Sequence, residues 1–190
     1  MLNNKKANEP CEYTDLAKKV SNYQEFDTHI KEILRDNFIC EQDSYCPYCE
    51  RIIENNVNSC HIEHIKPQSA YPNQSKEYTN MILSCNNKNT CGIRKGNQYH
   101  EDFINPTIEN PTFYLKYDLA SGEVYSVDDN PKGEYTIKVL NLNDKKLKQM
   151  RRNKIFTYIN LDSSMQLKLI NWELENLYGS NLIFRKCIWN

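Results

Sequence analysis

The sequence predicts an α+β fold, a small ββα centre held between helical arms. Three observations predict it. Apolar residues recur near helical spacing over residues 12–39 and again after Asn143. Between these stretches, residues 40–100 are rich in Cys, His, Asn and Pro and poor in apolar periodicity, so they cannot build a large core of their own. Two cysteine pairs, Cys46–Cys49 and Cys85–Cys91, lie in this polar region and supply another way to hold it together.

Each element follows in order. Leu16, Val20, Tyr23, Phe26, Ile30, Ile33, Leu34 and Phe38 fall near one helical face, and a break around Ser21–Asn22 divides them into two helices. Residues 1–40 form an N-terminal helical arm, residues 41–104 a central zinc-bearing module, and residues 105–190 a C-terminal hairpin with helices. Pro106 and Pro111 mark a connection. Residues 113–117 and 123–127 alternate about Ser121–Gly122 and read as a hairpin. Residues 135–142 are a short helix or a strand. Asn143 or Asp144 can cap a helix reaching about Tyr158, and Asp162 or Ser163 a last one that stops near Gly179.

The 190 residues suffice for one compact domain, or for a small catalytic module with helices packed around it. No apolar run is long enough to span a membrane, and the start of the chain has no apolar segment of a secretion signal. A cytoplasmic setting is therefore expected, where closely spaced cysteines are more often metal ligands than disulfides. The net charge of −1 argues against tight autonomous binding of nucleic acid and leaves room for a partner protein. Basic charge is local: Lys145, Lys146, Lys148, Arg151, Arg152 and Lys154 face one acid, Asp144. This stretch is either a basic contact surface or a solvated helix face.

Cys46-Pro47-Tyr48-Cys49 has the spacing of a metal knuckle, and Cys85 with Cys91 can complete a closed tetrahedral shell of four sulfurs. Such a site is structural and contributes folding energy. Two alternatives stand beside it. Cys85 and Cys91 could be small buried apolar residues. The Cys46–Cys49 tetrapeptide also matches that of glutaredoxin-like folds, but a redox dithiol should follow a buried strand, and residues 41–45 do not read as one. Cys11, Cys40, Cys60 and Cys187 have no pairing logic, although Cys60 adjoins the site and is an alternative ligand.

Between the knuckles lies His61-Ile62-Glu63-His64-Ile65-Lys66-Pro67. On a strand Glu63 and His64 diverge unless the strand ends there, and Pro67 favours an ending. Asn80, just before the apolar run 81–83, suits a side chain that fixes a loop. The order Cys46-x-x-Cys49, Glu63-His64-Ile65-x-Pro67, Asn80-x-x-Leu83, Cys85, Cys91-x-x-x-Lys95 resembles the zinc-bearing HNH (ββα-metal) endonucleases. Softer likenesses at residues 103–111, 117–124 and 136–151 point to one subgroup, the small HNH nucleases encoded beside an ABC-type ATPase in Septu and retron-associated anti-phage systems.

The resemblance implies a nuclease. His64 would be its general base, Glu63 a ligand of a catalytic Mg²⁺ or Mn²⁺, and Asn80 the residue fixing the loop that carries His64. Cys46, Cys49, Cys85 and Cys91 would hold a structural Zn²⁺, and Lys66, Arg94 and Lys95 would contact nucleic acid. The implied partners are a nucleic-acid substrate, the ATPase and, in retron systems, a reverse transcriptase with its RNA and DNA. The pattern departs at Gly92, where many relatives carry His or Asn as the last metal ligand; Asn86, Asn87, Asn89, Asn97 and His100 are candidates to complete the set. His61, on the face of the strand that Glu63 occupies, is a rival ligand. A zinc-ribbon binding module without chemistry is the competing class of function.

Overall fold

A computed structural model describes residues 1–160 and 164–165 and belongs to the α+β class. The expected helix from Asp162 or Ser163 towards Gly179, and Cys187, lie outside the described residues. The N-terminal periodicity becomes two helices, α1 (Cys11–Ala17) and α2 (Thr28–Glu41), parted over residues 18–27. The Asp27 carboxylate accepts from the Ile30 backbone N–H at 2.9 Å and caps α2. Ile30, Leu34 and Phe38, one turn apart, form its buried stripe.

Two side-chain anchors tie the end of α2 to the centre. Lys6 is buried over the rings of Phe38 and Tyr78, with its ammonium 2.8 Å from Glu41. Glu41 also accepts from the Tyr78 hydroxyl. Gln42, buried at the end of the helix, meets the backbone of Leu83 twice: its Oε1 accepts from the N–H at 2.7 Å and its Nε2 donates to the carbonyl at 2.9 Å.

The centre comprises β1 (Cys60–His64) and β2 (Met81–Cys85), which pair antiparallel, and then α3 (Cys91–Lys95). Cys60 faces Cys85 in register, and His64 faces Met81. All five residues of β2 are buried, which follows from its position between β1 and α2. Every strand pair among the described residues is antiparallel, so Cys46 does not occupy the βαβ setting of a redox dithiol.

The C-terminal part opens with a hairpin of β3 (Leu115–Tyr117) and β4 (Val124–Ser126). Gly122 in its turn has φ +72°, and helix α5 (Lys145–Ile159) passes so close that a Cβ there would press on Lys148 and Arg152. Residues 131–140 settle as helix α4 (Pro131–Leu140): Asn130 caps it, Pro131 opens it, and Asn141 closes it in the left-handed region. Helix α5 (Lys145–Ile159) starts at Asp144, whose Oδ1 accepts from Lys146 N–H at 2.9 Å, while Asn143 bonds both backbone groups of Val124. Arg151 leaves the basic stretch and is buried. Its guanidinium donates to the Gly122 carbonyl at 3.0 Å and lies over the Tyr117 ring. One cluster of buried apolar side chains runs from Tyr13 through the cysteines to Leu147. Among the described residues no helix is long and apolar enough to cross a membrane.

Candidate metal centre and active site

The knuckle turn 46–49 lies against the end of β2 and the start of α3, and this packing collects the four cysteines. The sulfurs of Cys46, Cys49, Cys85 and Cys91 all lie within 4.8 Å of one another, and all four residues are buried. The Cys49 and Cys85 sulfurs are 3.7 Å apart. A tetrahedral ion with sulfur bonds of about 2.3 Å sets its ligands roughly 3.8 Å apart, so the cluster fits a metal such as zinc. Four thiolates this close would need a cation among them. Burial opposes ionisation of Cys46, yet hydrogen bonds with the other three hold its thiol well below the ordinary range, and the bond to Cys46 pushes Cys91 well up. Cys91 has φ +59°, a left-handed conformation that costs a non-glycine residue about 1–2 kcal/mol. Cys60 stays outside the cluster; its thiol donates to the Glu54 carbonyl at 3.3 Å.

β1 ends at His64, and beyond it Glu63 and His64 open on one groove of about 450 Å³, lined also by Gln24, Gln68, Gly96 and Asn97. His64 is buried against Tyr23. Its Nε2 lies 2.9 Å from the Ser75 carbonyl, which can only accept, so the ring proton sits on Nε2. Nδ1 is then the acceptor, and it receives the Gln68 amide at 3.1 Å. Gln24 in turn donates to Gln68 Oε1 at 2.8 Å. Burial, the largest influence, lowers the pKa of His64 and favours the neutral ring. Asn80 spans the loop after β1: its Oδ1 accepts from Lys66 N–H at 2.8 Å, and its Nδ2 donates to the carbonyls of Lys66 and Gln74.

The three cations singled out in the sequence part company. Arg94 is exposed and Lys66 half-buried, but Lys95 is buried. The Lys95 ammonium lies 2.8 Å from Glu63 Oε1 and 2.9 Å from the His64 carbonyl, so its charge serves Glu63 from inside. Burial works against a charged Glu63, but the hydrogen bond from His61 and the ammonium of Lys95 outweigh it and hold its pKa below the ordinary value. Glu63 is therefore a carboxylate. Its second oxygen, Oε2, faces His61 Nε2 at 3.3 Å. Burial lowers the affinity of His61 for a proton, while Glu63 and Asn86 raise it, and the net shift is upward. Gln68 and Ser75 act here although no motif marked them, and Lys95, marked as a nucleic-acid contact, instead serves Glu63. Their partners are fixed by the loop path, which no local pattern encodes.

No family model matches the chain. It is 31% identical over 103 residues to the Septu protein PtuB of Bacillus thuringiensis, a match that covers 52% of this chain and 36% of that protein. The chain thus spans well under two thirds of the length of the relative it matches.

Proposed function

We propose that the chain is a metal-dependent HNH endonuclease of ββα-metal architecture, an effector of Septu-type anti-phage defence that works with an ABC-type ATPase. The observation that carries this reading is the convergence of Glu63 and His64 on one groove, braced from behind by Asn80 and beside a closed four-cysteine cluster. The likeness to a Septu PtuB supports the defence role and the ATPase partner. In retron-associated versions a reverse transcriptase with its RNA and DNA would join them.

In this reading Cys46, Cys49, Cys85 and Cys91 hold zinc with no open position, so the zinc is structural. His64 is the general base. Ser75 fixes its tautomer and burial keeps it neutral, so Nδ1 is free of a proton and can accept one from water once Gln68 yields. Asn80 holds the loop that aims the ring. Glu63, ionised and oriented by Lys95, presents Oε2 for a divalent cation. Bound Mg²⁺ or Mn²⁺ would supply charge neutralisation at the phosphoryl group and at the leaving 3′-oxygen. The products would carry a 5′-phosphate and a 3′-hydroxyl. Lys66 and Arg94 are the cations available to the nucleic-acid backbone. The net charge of −1 is small for an autonomous binder and favours recruitment by a partner.

A second reading, a zinc module that binds nucleic acid or the ATPase without cutting, is favoured by one fact: Lys95 already neutralises Glu63. One assay separates the two. Plasmid, single-stranded DNA and RNA are offered in Mg²⁺ or Mn²⁺, with and without the ATPase. Cleavage is expected, and His64→Ala should lose roughly 10²- to 10⁴-fold in rate while keeping its zinc. No cleavage under any of these conditions, or normal cutting by His64→Ala, rejects the nuclease reading.

A further inference from the structure

Gly92, the second residue of α3, stands where that helix meets β1. A Cβ there would lie 2.7 Å from Glu63 Oε2 and 2.8 Å from His61 Nε2. A side chain there would have to push both groups aside, and its absence leaves the imidazole and the carboxylate room to meet. The proton on His61 can be located from its neighbours. Asn86 Nδ2 donates to the Val57 carbonyl at 2.8 Å, which turns Asn86 Oδ1 towards His61 Nδ1, also at 2.8 Å. An amide oxygen only accepts, so Nδ1 carries the proton and the lone pair of the neutral ring is on Nε2. That lone pair faces a carboxylate oxygen at 3.3 Å, and the other carboxylate oxygen is already held by Lys95. A second proton on Nε2 makes the hydrogen bond to Glu63 described above, and a cation that replaces that proton finds an imidazole nitrogen and a carboxylate oxygen facing it.

We propose that His61 is a ligand of the divalent metal held by Glu63, occupying the space that Gly92 leaves and oriented from behind by Asn86. This rests on the reading of Glu63 given above. Adjacent ligands of an octahedral ion with bonds of about 2.1 Å are roughly 3.0 Å apart, so the observed pair needs only a slight adjustment to chelate. The His61 side chain is 29% exposed, which leaves room for water on the open side of such an ion. A nitrogen donor also changes the choice of metal. Imidazole favours first-row transition ions, whereas Mg²⁺ prefers oxygen alone. The site is thus built for an ion such as Mn²⁺ rather than Mg²⁺.

The test is Mn²⁺ binding to the zinc-loaded full chain, read by electron paramagnetic resonance, with pulsed measurements for directly bound nitrogen. Wild type should show nitrogen coupling, and so should His64→Ala. His61→Ala should abolish it and weaken Mn²⁺ at least about tenfold, and Asn86→Ala, which frees the ring, should weaken it roughly 10- to 100-fold. Gly92→Ala should weaken Mn²⁺ with zinc retained, and Mg²⁺ should compete poorly. Absence of nitrogen coupling in wild type overturns the proposal even if a variant fails to fold. If Glu63→Gln weakens Mn²⁺ but His61→Ala does not, His61 is only an ion-pair partner and the Glu63 reading survives. If neither change matters, both readings fall.

Discussion

Lys95 and Lys6 both bury their side chains against a carboxylate. Lys95 also donates to the His64 backbone carbonyl. Lys6 has the Glu41 carboxylate and two ring faces, and burial still dominates, lowering its pKa from 10.5 to about 8. Between those two values the unfolded chain holds a proton that the folded chain has released. Folded stability therefore rises with pH through this window, and below pH 8 the cost of the buried charge is present in full. The total is on the order of 3 kcal/mol. Denaturation midpoints of wild type and Lys6→Met, compared from pH 7.5 to 10.5, should converge on or cross in favour of wild type as pH rises. A constant difference would show that Lys6 keeps its proton. Neither lysine's role is legible in the sequence, because a lysine reads as exposed until the path of the chain supplies an enclosing partner. The cysteines are legible because ligand spacing is local.

Helix α4 shows why residues 135–142 are ambiguous when read by periodicity. A short apolar run suits either state, and the decision lies in its flanks, with Asn130 and Pro131 before it and Asn141 after. The same helix carries Gly133, which faces the hairpin. A Cβ at that position would meet the Tyr114 carbonyl at 2.7 Å and press on the Ser126 hydroxyl. Alanine is favoured over glycine by about 1 kcal/mol inside a helix. Here the clash is with backbone that cannot swing away, so Gly133→Ala should destabilise the protein despite that gain. A lower urea midpoint with an unchanged slope is the expected result, and a higher one would mean that α4 moves off β4 without cost. The β1–β2 pair is less legible in the sequence than the helices. Its short strands lack the alternation of a half-buried sheet, because β2 is covered on both faces.

At the scale of the molecule, the apolar core is continuous, but its middle is made of cysteines and a few aromatic rings. On the zinc reading, the metal is part of the folding energy there, with an apparent contribution on the order of 10 kcal/mol. A strong chelator should therefore loosen the centre, and Cys46→Ser should do so without any chelator. Amide exchange at β1 and β2, followed together with zinc content, checks both; protected strands in zinc-free protein would refute the role. One last consequence concerns Gln42. A two-stranded ribbon has an unsatisfied border on each side, ready to recruit a strand from another molecule. At Leu83 the carboxamide of Gln42 gives and takes as a peptide unit would, a one-residue counterfeit of a third strand. Leu83 is fully buried behind this side chain, so Gln42→Leu would leave two main-chain groups needing partners, each costing about 1–3 kcal/mol if buried alone. The expected outcome at full zinc loading is a lower urea midpoint, and an unchanged one would show that the counterfeit strand holds nothing.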